Sequence, residues 1–121
     1  MITVRRDIPA LPDLVFATAA EPQKLAEWLP EPLELVGIND DVLILRQDAR
    51  LTQVRLTADL DRLVLSWSAL ADRSCAGALQ VSPLGAGQSV AELSLDHPDE
   101  TLAARLLEAL GEQVERTFAA G

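Results

Sequence analysis

Ile2, Val4, Arg6 and Ile8 alternate with Thr3, Arg5 and Asp7, the period of two that marks a strand with one buried face. Pro9 closes that strand. Pro12-Asp13 then opens a segment in which Leu14, Val15, Ala17, Thr18 and Ala19 suit a short helix, because proline is tolerated in a first turn. Pro22 begins a second short helix, with Leu25, Trp28 and Leu29 at helical spacing until Pro30 and Pro32 forbid continuation. From Leu33 to Leu95 the chain becomes a series of Val-, Leu- and Ile-rich runs. Turn residues at Asn39-Asp40, Ala49-Arg50, Asp61-Arg62, Ala71-Asp72-Arg73 and Gly85-Ala86-Gly87 interrupt them. Gaps this short join antiparallel neighbours and leave no room for a crossover, so six further strands form a meander. After Leu95, His97-Pro98-Asp99-Glu100 reads as a helix start with acidic residues in the first turn. Leu102, Leu106, Leu110, Val114 and Phe118, flanked by Ala103, Leu107 and Ala109, then give one long helix a broad apolar stripe.

A slip of one residue turns a strand inside out, so the hairpins can be tested for a shared apolar face. Closing the turn at Asp61-Arg62 sets Ala58 opposite Leu65, Leu56 opposite Trp67 and Val54 opposite Ala69. The next closure sets Trp67 against Gly77, Leu65 against Leu79 and Leu63 against Val81. The last sets Val81 against Ala91, Leu79 against Leu93 and Gly77 against Leu95, so one face stays apolar across four strands. A sheet with one apolar face needs a cover, and the terminal helix is the element long enough to supply it. The predicted fold class is α+β: a curved antiparallel sheet of about seven strands wrapped around a long C-terminal helix, with two short helices between strands one and two. No linker, repeat or low-complexity tract divides residues 1–121, which are read as one domain.

Three stretches carry a family resemblance. They are Ile2 to Phe16, a strand followed by Pro12-Asp13-Leu14-Val15-Phe16; Leu25-Ala26-Glu27-Trp28-Leu29-Pro30; and Gly77-Ala78-Leu79-Gln80-Val81-Ser82-Pro83 leading through Gly87 to Val90. In these, and in its element order, the chain resembles the SRPBCC superfamily, also called START-like or helix-grip proteins, which includes polyketide cyclase/dehydrase-like members. The resemblance implies a cavity between the sheet and the last helix that holds a lipid, a polyketide or another small hydrophobic molecule.

Composition narrows the partners. Acidic residues outnumber basic ones 19 to 10, for a net charge of −9, a field that repels phosphate backbones and anionic headgroups. Nucleic acid is therefore not an expected partner. The N-terminal residues lack an apolar signal core, and no run of about 18 apolar residues occurs, so a cytoplasmic location without membrane insertion is expected. A single cysteine, Cys75, supplies neither an internal disulfide nor a thiolate cluster for zinc.

The inward-facing positions Trp28, Val54, Leu56, Leu65, Trp67, Leu79, Leu93, Leu106, Leu110 and Val114 are the candidate ligand-binding residues. The same positions would also serve a filled core. Two Trp, two Phe and no Tyr, beside many leucines, point to an aliphatic occupant over a flat aromatic one. Arg46, with Arg6 and Asp48, is read as inward-facing and as a polar anchor for a ligand carbonyl or carboxylate. Extending the register sets Cys75 opposite His97, a thiol beside an imidazole. No third residue orients that imidazole, so no catalytic residues are assigned. Asp96, His97, Asp99 and Glu100 lack paired metal-ligand spacing, and Gly85-Ala86-Gly87 precedes a strand where a phosphate loop requires a helix, so neither a metal nor a cofactor is expected. Binding of a small hydrophobic ligand is the leading expectation. The alternatives are a polyketide cyclase/dehydrase-like enzyme and a non-catalytic interaction scaffold, a homodimer among them.

Overall fold

The computed structural model describes residues 2–30, 33–47, 49–70, 76–96 and 100–118. The elements run β1 (Ile2–Ile8), α1 (Pro12–Ala20), α2 (Pro22–Trp28), β2 (Leu33–Asn39), β3 (Val42–Gln47), β4 (Arg50–Asp59), β5 (Val64–Ala69), β6 (Ala76–Pro83), β7 (Ser89–Leu95) and α3 (Glu100–Phe118). All seven strands form one antiparallel sheet in the order β1-β7-β6-β5-β4-β3-β2.

The hairpins from β4 to β7 adopt the register that keeps their apolar face continuous. Leu56 pairs with Trp67 and Ala58 with Leu65. Trp67 pairs with Gly77 and Leu65 with Leu79, and Leu79 pairs with Leu93. The β4–β5 turn is held by Asp59, whose carboxylate accepts hydrogen bonds from the backbone N–H groups of Asp61 and Arg62, both at 3.2 Å. β1 does not extend the meander at β2 but lies beside β7, with Val4 opposite Leu93 and Arg6 opposite Ala91. This puts its even-numbered residues on the same inner face. The chain leaving β1 is pinned where the buried Ser89 hydroxyl of β7 donates to the Ala10 carbonyl.

The short helices obey their prolines. Pro12 opens α1, and Pro22 opens α2 directly after Glu21. α2 stops at Leu29, whose N–H reaches the Leu25 carbonyl just before Pro30. Trp28 ties the two helices together by donating its indole N–H to the Thr18 carbonyl at 3.3 Å. α3 turns Ala103, Leu107, Leu110 and Val114 inward, all 3% exposed or less, and sets Leu102 and Leu106 at the edge of that face. Its closest packing is against β1, then α1, β7 and α2. Among the described residues no helix is long and apolar enough to cross a membrane.

One strand departs from the expected parity. On β3 the inner face carries Leu43, Leu45 and Gln47, opposite Val54, Thr52 and Arg50 of β4. Arg46 therefore lies on the outer face, half exposed and 3.8 Å from Glu34 of β2. Val42-Leu43-Ile44-Leu45 is apolar at every position, so no alternation identifies the inner set. Arg6 does face inward, its guanidinium lying against the backbone of Gly111 in α3. Asp48, the turn at residues 71–73, and the Cys75–His97 pair lie outside the described residues.

Candidate functional site

Because α3 packs toward the β1–β7 edge and α1 against β5, β6 and β7, the inner faces of β3 and β4 are left the least covered by helix among the described residues. The result is a cavity of about 670 Å³ between sheet and helix, within the span of roughly 300–1,000 Å³ usual for small-molecule sites. Its floor is Leu43 and Leu45 of β3, Val54 and Leu56 of β4, Leu65 and Trp67 of β5, Leu79 of β6, and Leu93 and Leu95 of β7. Leu102, Leu106, Leu107 and Leu110 of α3 form the roof. Ala19 of α1 with Leu25, Trp28 and Leu29 around α2 closes one side, and Leu33 and Ala76 complete the wall.

Of the floor residues, Leu43, Leu65, Leu79 and Leu93 are closely surrounded, each 5% exposed or less. Leu45, Leu56 and Trp67 are half-buried and border the empty volume. Side chains so placed lack partner atoms on one side and gain dispersion contacts from any occupant that fits.

The polar lining residues are Gln47, Arg50 and Thr52, all exposed and all on the β3–β4 hairpin. They share the inner face because Gln47 pairs with Arg50, and Leu45 with Thr52. Among the described residues, one mouth of the cavity is thus polar and cationic while the remaining walls are Leu, Val, Ala and Trp side chains. A separate shallow groove of about 490 Å³ lies between α1 and the β4–β5 turn, lined by Asp13, Phe16, Glu21, Leu60 and their neighbours, and shares no lining residue with the cavity.

Of the positions expected from the sequence to meet a ligand, Trp28, Val54, Leu56, Leu65, Trp67, Leu79, Leu93, Leu106 and Leu110 are brought together around the cavity. Val114 is not. It sits one helical turn beyond Leu110, in the closed core with Ile8, Val15 and Phe16. Arg46 points away from the cavity, and the cation at the mouth is Arg50. The signal for Arg50 was the β4 pattern itself, since the even-numbered face of Val54, Leu56 and Ala58 continues through Thr52 to Arg50. Among the described residues, no group of three or more His, Cys, Asp or Glu side chains is placed to hold a metal ion.

No protein-family profile and no curated protein matches the sequence. Solved structures do match in shape. The Zhui aromatase/cyclase from Streptomyces sp. R1128 is 19% identical, with a TM-score of 0.66, over 99% of this chain and 96% of that one. A START superfamily protein from Mycobacterium smegmatis is 12% identical, with a TM-score of 0.67, over 96% and 97%. Norcoclaurine synthase from Thalictrum flavum, in complex with dopamine and hydroxybenzaldehyde, is 15% identical, with a TM-score of 0.67, over 95% and 86%.

Proposed function

The chain has the START-like, SRPBCC-type helix-grip fold, and from that premise we propose that it binds and sequesters a small hydrophobic, aliphatic molecule in the cavity between the sheet and α3. The observation that carries this reading is the cavity of about 670 Å³ walled by leucines and two tryptophans. Its volume, its largely apolar walls and its position all favour an apolar guest. The norcoclaurine synthase complex gives a precedent for a small organic molecule held by a protein of this shape. The leucine-rich lining favours a flexible chain over a stacked ring, and Arg50 is the one ionisable group among the described lining residues. A lining of that kind supports holding a guest more than transforming it.

Native mass spectrometry of the purified protein, paired with a thermal-shift panel of lipids and polyketides, tests the proposal. A bound apolar adduct is expected, or a compound that raises Tm by several degrees. Ligand at a hundred times its Kd stabilises the native state by about 2.7 kcal/mol. A folded protein that carries no adduct and shifts with no apolar compound would overturn the reading.

A further inference from the structure

Among the described lining residues, the polar side chains gather at one end of the cavity, and that asymmetry bears on the chemistry of its occupant. Gln47, Arg50 and Thr52 all belong to one hairpin, and among the described lining residues Arg50 is the single charged group. The other cations of that hairpin are engaged on the outer face, Arg46 near Glu34 at 3.8 Å and Arg55 near Asp41 at 3.5 Å. Arg50 is turned inward by the register that sets it opposite Gln47. Among the described residues, no carboxylate forms an ion pair with it. An inward-turned guanidinium at the rim of a hydrocarbon cavity, in a chain of net charge −9, is a local reversal of the surrounding field.

Resting on the cavity reading above, we propose that the occupant is a single-chain amphiphile with a carboxylate head, the head held by Arg50 at the mouth and the chain lying between α3 and the sheet. A guanidinium presents a planar fork of donors that matches a carboxylate in bidentate geometry. The Gln47 amide and the Thr52 hydroxyl lie on the same face and add neutral donors beside it. Arg50 and Gln47 are exposed, so the head stays at the solvent boundary and its charge is not stripped of water. Beyond that hairpin the described walls are Leu, Val and Ala side chains and the two tryptophans.

The test uses the full chain with dodecanoate, methyl dodecanoate and 1-dodecanol as probes, below their aggregation limits, followed by calorimetry. Dodecanoate is expected to bind about tenfold tighter than the ester or the alcohol, the scale of one charge-assisted contact. Arg50→Gln should bring acid and ester within about twofold of each other, chiefly by weakening the acid, whereas Arg46→Gln on the outer face should change the affinity of neither. Across a series of acids each added methylene should tighten binding about fourfold until the cavity is filled. Acid and ester binding equally to the native protein would overturn the carboxylate assignment and leave the cavity reading standing. An acid preference that survives Arg50→Gln would overturn the role of Arg50. No binding by any of the probes would remove both this assignment and an open aliphatic cavity.

Discussion

At the scale of single residues, two small side chains hold the frame of the cavity. Ser89 is fully buried, and its hydroxyl satisfies the Ala10 carbonyl where the chain leaves β1. Ser89→Ala leaves that carbonyl without its partner, so unfolding in urea should show a loss of about 1–3 kcal/mol. Gly77 lies under the indole of Trp67. A Cβ there would stand 2.6 Å from Trp67 Cζ2 and 2.8 Å from the Ser94 carbonyl oxygen. Gly77→Ala must therefore push the ring off the sheet into the cavity, at a cost of about 1–3 kcal/mol. The expected readings are a shifted tryptophan emission maximum and weaker ligand binding; an unchanged emission spectrum would contradict the placement of the ring.

At the scale of elements, the roof that α3 gives the cavity is packed unevenly along the helix. Leu110 is 1% exposed, whereas Leu106 is half-buried at the cavity edge. Leu110→Ala should cost about 2–5 kcal/mol. Leu106→Ala should cost less than half as much, and equal losses in denaturant titrations would show that no such asymmetry exists. How far the elements could be read beforehand depended on alternation. Thr57 and Ser66 on the outer face, against Leu56 and Leu65 on the inner, fix the register from β4 to β7, and the structure has those pairings. Val42 to Leu45 offer no such contrast, so the pattern does not show that Arg46 faces outward and Arg50 inward. The seat of β1 beside β7 is a contact between the two ends of the chain, and no local pattern encodes it.

At the scale of the whole molecule, a guest and a larger wall residue compete for the same volume. Leu56 is a half-buried floor residue, so Leu56→Trp should fill part of the space, raise stability by about 0.5–2 kcal/mol in the way of cavity-filling substitutions, and weaken the binding of long chains. The inner-face leucines were legible because sheet parity and helical spacing select them. The volume among them was not, because it depends on where α3 sits across the sheet, and a stripe such as Leu102-Leu106-Leu110 serves a filled core equally well.

Both tryptophans of the chain, Trp28 and Trp67, line this cavity, and their emission reports directly on what enters it. Titration with 12-bromododecanoic acid, whose heavy atom rides at the tail of the chain, should quench that emission saturably, with a midpoint equal to the Kd measured by calorimetry. Calorimetric binding that leaves the emission of both indoles unchanged would place the ligand elsewhere and contradict a site between the sheet and α3.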